Sequence, residues 1–199
     1  MLYVSPQPEP VDFDEKVRQK GLAHLADKGI ALDRPLSKGT KINSYWTGCL
    51  PELYAAYSGV CAYVAVHFER VTANGSVDHF VAKSSRADLS YEWSNYRLAC
   101  GRMNSRKNKY DDVLDPFSLT NGLFHLECVT GRIYPNPAAD NDVKELVNQT
   151  IKRLGLDDPD CRELRARHFS EYISKQFDRT YFRRISPFVW HEANRQGLL

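Results

Sequence analysis

No two cysteines of this chain stand in a CxxC spacing; the five thiols, Cys49, Cys61, Cys100, Cys128 and Cys161, are scattered and odd in number. A regular disulfide framework is therefore excluded. With no secretory signal at the start, reduced thiols in a cytoplasmic protein are expected. No run approaches the roughly 18 apolar residues of a membrane span, so no membrane partner is expected. There is no GxxxxGK[ST] segment, so any nucleotide hydrolysis belongs to another chain. No helix-turn-helix, dimer zipper, internal repeat or low-complexity tract is visible. An excess of one charge is missing too. The 27 Lys and Arg against 25 Asp and Glu leave a net +2, so only the distribution of charge can point to nucleic acid. His125, His168 and His191 have no metal-ligand spacing to one another.

What is present suits one main domain with extensions. Of 199 residues, 42% are apolar and 12% aromatic, enough for a buried core. Residues 1–12, punctuated by Pro6, Pro8 and Pro10, read as an extended arm. An amphipathic helix is expected over 12–28, a loop over 30–44 and a helix over 45–57. The β-branched and aromatic run 60–70, the turn signal Asn74-Gly75 and the run 77–82 predict a hairpin. A polar loop to Asn95 and a helix starting near Arg102 or Met103 complete a ββα unit. A second hairpin is predicted over 115–137, around Asn121-Gly122 and Thr130-Gly131. Helices follow over 140–154 and 160–182, separated by Asp157-Asp158-Pro159. The fold class is therefore α+β, with a central ββα unit, an N-terminal arm and helix, and a C-terminal helical cover. The boundaries fall at 1–58, 59–137 and 138–199.

Phosphodiester hydrolysis needs an activated water, neutralisation of the charged transition state and help for the leaving oxygen. A hard cation supplies the last two and prefers oxygen ligands. Asp78 and the side-chain oxygen of Asn104 have that chemistry. His79, partly neutral near pH 7, is the candidate general base, and Asn95 is the candidate for aiming its ring. Successive strand residues point to opposite faces, so Asp78 and His79 share one site only where the strand ends or twists. Arg97, Arg102, Arg106, Lys107 and Lys109 form a cluster that can contact phosphates whatever the base sequence. Each piece alone has an ordinary reading: a common dipeptide, a turn asparagine, a solvated basic face. Their conjunction on one ββα unit points to a nuclease.

The pieces CAYV at 61–64, VDHFVAKS at 77–84, YEWSNYRLAC at 91–100 and GRMNSRKN at 101–108 resemble the HNH, or ββα-metal, nuclease domain. The resemblance implies a single Mg²⁺ or Mn²⁺ held by Asp78 and Asn104, His79 as general base and Asn95 as the middle asparagine. It implies a phosphate-facing role for Lys107. Many members carry a structural zinc on two CxxC pairs. Here Val64 and Met103 stand at one position of each pair, so no structural zinc is expected and both side chains should pack as apolar replacements. The wording of these segments, with DPF at 115–117 and GRIYPNP at 131–137, is similar to small HNH proteins of bacterial anti-phage systems, Septu-type and retron-associated ones among them. That likeness implies an ATPase partner. DNA and RNA remain open as substrates, and a silent nucleic-acid- or partner-binding subunit is the alternative. Tyr3, Val4, Val11 and Phe13 of the arm, and the aromatic C-terminal region from Tyr172 to Trp190, either dock on a partner or fill the chain's own core.

Overall fold

The computed structural model describes residues 1–199. Helices hold 46% of them and strands only 9%, so the α+β core is built mainly by helices and loops around two small hairpins. A π-helical turn (Asp14–Arg18) runs into α1 (Gln19–Asp27), and a 3-10 turn (Tyr45–Cys49) into α2 (Leu50–Ala56). Then come α3 (Arg70–Ala73), β1 (Ser76–His79), two 3-10 turns (Ala87–Tyr91 and Trp93–Asn95), β2 (Tyr96–Ala99) and α4 (Gly101–Lys107). The chain continues through β3 (Phe124–Glu127), β4 (Arg132–Pro135), α5 (Asn141–Leu154), α6 (Pro159–Ile173), α7 (Arg179–Ile185) and α8 (Pro187–Arg195). None of these helices is long and apolar enough to cross a membrane.

Contacts group the chain into two units that interleave along the sequence, where the sequence reading drew three consecutive segments. One unit comprises Pro6–Gly59 and Glu69–Asp111; the other comprises Met1–Ser5, Val60–Phe68 and Asp112–Leu199. In the first, β1 pairs antiparallel with β2, setting Asp78 opposite Arg97 and His79 opposite Tyr96. Phe13 is fully buried and meets Trp93 and Tyr96 edge-on, with ring centroids 5.6 and 5.8 Å apart. The arm is tied down as well. Trp93 Nε1 donates to Gln7 O at 2.8 Å and Gln7 N to the Tyr57 hydroxyl at 3.1 Å. Phe13 thus belongs to its own chain's core, while Val11 stays fully exposed.

In the second unit the β3–β4 hairpin packs with the C-terminal helices. Glu192 is buried and accepts from Leu126 N at 2.8 Å while Arg195 pairs with it. The equally buried Arg165 of α6 donates to Gly131 O and Leu156 O, tying its helix to the hairpin turn and to the loop after α5. Phe182, Phe188 and Val189 are core residues, and Tyr172 stacks on Phe182 at 4.7 Å. Part of the aromatic C-terminal region therefore fills its own unit, while Tyr181 is exposed.

The first hairpin of the sequence reading does not form. Residues 60–70 make only a bridge between Val60 and His67, around a tight turn in which Cys61 N donates to Val66 O and Ala65 takes a positive φ of 51°. A continuous apolar run says that a segment is buried, not that it is extended. Here Cys61 to Val66 are all buried in a turn. Asn74 does adopt the left-handed conformation its Asn-Gly signal favours, but as the cap ending α3 rather than in a hairpin turn. The partner of β1 is instead β2, at the end of the stretch read as loop and pre-helix. The second hairpin and the break before Pro159 lie where expected. The single helix expected over 160–182 is divided into α6 and α7.

Gly21 lies in α1 against Tyr91, and a Cβ there would fall inside the aromatic ring. Helix propensity alone favours Gly21→Ala by about 1 kcal/mol. Overpacking against a buried ring costs about 1–3 kcal/mol or more and opposes it. Gly21→Ala should lower the urea midpoint of unfolding; a raised midpoint would show that Tyr91 yields without cost.

Candidate functional site

β1 ends at His79, and this ending resolves the pleat problem: Asp78 and His79 both line one open cavity of about 700 Å³ with Trp46, Lys83, Asn104 and Asn108. Asn104 lies on α4 and Asn108 just beyond its end, and both line the cavity. Arg102 and Arg106 lie on the opposite side of that short helix and do not line the cavity. Lys109 does line it.

The His79 ring is held from several sides. Its Nε2 lies 2.9 Å from Ser90 O, and a carbonyl can only accept, so the neutral ring donates Nε2–H and leaves the lone pair on Nδ1. The Tyr96 hydroxyl donates to the same carbonyl at 2.9 Å. Trp46 and Tyr96 meet the imidazole in T-shaped contacts, with centroids 4.6 and 5.2 Å away. Burial pushes the imidazole down to about 4, with the Lys83 and Lys107 ammonium groups adding to the shift and the Ser90 hydrogen bond opposing it. At neutral pH the ring is uncharged.

Asn95 is buried close by but does not touch that ring. Its Oδ1 accepts from Val81 N at 2.8 Å, and its Nδ2 donates to Val81 O and Leu89 O at 3.0 Å each. The ring-aiming role expected of Asn95 belongs to the Ser90 carbonyl, while Asn95 fixes the loop after β1. Ser90 O, Trp46 and Lys83 were not singled out from the sequence. Carbonyls carry no side-chain signal, and Trp46 comes from the 3-10 turn before α2, outside the motif.

Two of the expected phosphate contacts are structural. Lys107 is fully buried; its ammonium donates to His79 O at 3.0 Å and Phe80 O at 2.7 Å and lies 3.6 Å from the Asp78 carboxylate. Burial pulls it below the usual lysine range against the opposing pull of Asp78. Arg97 is also buried, donating to Ser94 O and Tyr96 O with its guanidinium over the Phe80 ring. Neither faces a phosphate, because each compensates its own burial with carbonyls and aromatic surface. Arg102 and Lys109 are exposed, and Arg106 is half-buried.

No group of three or more His, Cys, Asp or Glu side chains is arranged to hold a metal ion. Asp78 is the carboxylate of the cavity, and Asn104 and Asn108 bring amide oxygens to it. Val64 and Met103 are both buried, each within its own unit, as are Cys61, Cys49, Cys128 and Cys161. No protein-family model matches this chain, and no curated protein matches its sequence.

Replacing Lys107 by Met strands two buried carbonyls and removes a cation beside buried Asp78. The expected loss of stability is on the order of 3 kcal/mol, read as a lower urea midpoint. A Lys107→Met protein as stable as the parent would contradict this reading of the ammonium.

Proposed function

We propose that this protein is a metal-dependent endonuclease of HNH type, hydrolysing phosphodiester bonds of nucleic acid, and that β1, β2 and α4 are its ββα-metal unit. One observation carries the reading. A neutral imidazole, fixed by a backbone carbonyl and bearing its lone pair on Nδ1, shares a cavity with a carboxylate and an amide oxygen. His79 accepts a proton from the attacking water at Nδ1, and Ser90 O holds the ring so that the lone pair keeps its direction. Asp78 and Asn104 would hold one Mg²⁺ or Mn²⁺. That donor set fits a hard cation that keeps several waters; it does not fit a closed zinc site. When bound, such an ion neutralises charge on the reacting phosphate and assists the leaving oxygen. Trp46 and Tyr96, with Tyr91 packed behind Trp46, keep the base in an apolar setting that favours its uncharged form.

The resemblance also supports an anti-phage role beside an ATPase partner, and we carry that as part of the proposal. The exposed apolar side chains, Val11, Val71, Val129 and Ile173 among them, are scattered along the chain, so the partner rests on the resemblance alone.

The test is cleavage of plasmid, single-stranded DNA and tRNA with Mg²⁺ or Mn²⁺, in the wild type and His79→Ala. Wild type should cut, chelation should stop it, and His79→Ala should lose at least about a hundredfold in rate. With the imidazole held at about 4, protonation of the base limits cleavage only as pH falls toward that value. Between about pH 6 and 8 no histidine-derived rise is expected. Cutting that persists in a clean His79→Ala preparation would remove His79 from the reaction. A wild type inert alone and with the ATPase partner would favour the silent binding subunit instead.

A further inference from the structure

Lys83 lines the same cavity as Asp78, His79 and Asn104, yet no hydrogen bond or ion pair from the protein holds its ammonium. It differs in this from Lys107, whose donors are taken by His79 O, Phe80 O and Asp78. The Lys83 ammonium sits 4.5 Å over the Trp46 ring, the same indole that contacts the His79 imidazole. A cation over an indole face is attracted by the ring yet keeps its hydrogen-bond donors free. Its local burial pulls the ammonium below the usual lysine range, with the Asp78 carboxylate opposing that shift.

The backbone that carries Lys83 is fixed on both sides. Val81 exchanges two hydrogen bonds with the Asn95 side chain, and Ser84 O accepts from Leu36 N at 2.9 Å. A lysine so placed gives up less conformational freedom on binding an anion than one on a loose loop. Lys109 also lines the cavity, but no aromatic ring seats it.

We propose that Lys83, seated on Trp46, is the residue that binds the phosphate presented to His79, in place of the buried Lys107. This rests on the nuclease reading above for the identity of the anion, a phosphodiester of nucleic acid. The ammonium donates to a non-bridging phosphate oxygen and adds one positive charge to a cavity whose carboxylate, Asp78, is already balanced by Lys107.

The experiment measures binding without cleavage. The full-length chain is titrated, in EDTA and over a series of salt concentrations, against fluorescently labelled single-stranded oligonucleotides of DNA and of RNA. Wild type, Lys83→Met and Lys83→Arg are compared. Lys83→Met should weaken binding about tenfold and lower the slope of log affinity against log salt by about 0.7, the contribution of one phosphate contact. Lys83→Arg should restore that slope, and melting temperatures should stay unchanged because Lys83 is exposed. An unchanged slope in Lys83→Met, or a wild type that binds neither oligonucleotide, overturns the assignment. Cleavage is read separately. A wild type that binds through Lys83 but never cuts leaves this site standing and removes the nuclease reading.

Discussion

A single buried ammonium ties the site together. Lys107 reaches from the last turn of α4 to the end of β1, where it holds two successive carbonyls and balances the Asp78 carboxylate beside them. A charge taken fully out of water is tolerated only where such partners surround it. The requirement runs both ways. The strand must end at His79 so that the His79 and Phe80 carbonyls turn to the amine, and that ending also brings Asp78 and His79 to one cavity.

Above this anchor the aromatic residues set the electrostatics. Trp46 and Tyr96 flank the imidazole, Tyr91 backs Trp46, and Phe13 supports Tyr96 from the N-terminal segment. The apolar enclosure disfavours the imidazolium, and the Ser90 carbonyl chooses the tautomer. Asn95 acts one step further back, since its amide holds Val81 and Leu89 and so shapes the loop that carries both Ser90 and Lys83. The N-terminal helices supply much of this wall. The unit containing the candidate site is therefore larger than the strand-loop-strand-helix segment at its centre.

Much of the site was legible because its side chains are carried by short-range spacing. Asp78 and His79 are adjacent, and Asn104 follows on the helix expected to start near Arg102 or Met103. The second hairpin was legible from turn residues whose backbone demands are local: Gly131 takes a positive φ of 70° at its tight turn. The first hairpin does not form because residues 61–66 are buried as a turn, and burial on all sides removes the alternation that marks a strand. A basic letter does not say whether its charge faces water. Arg97 and Lys107 look like Arg102 and Lys109 in the sequence, although carbonyls take up the first pair. Trp46 and Ser90 reach the site through tertiary packing, which no local pattern announces.

The measurement that bears most directly on this account is the nitrogen NMR spectrum of the His79 imidazole, followed through a pH titration and assigned with His79→Gln. The account predicts a neutral ring at pH 7 with its proton on Nε2, titrating near 4. A proton on Nδ1, or a midpoint near the ordinary histidine value of 6.5, would contradict it and leave the cavity without its base.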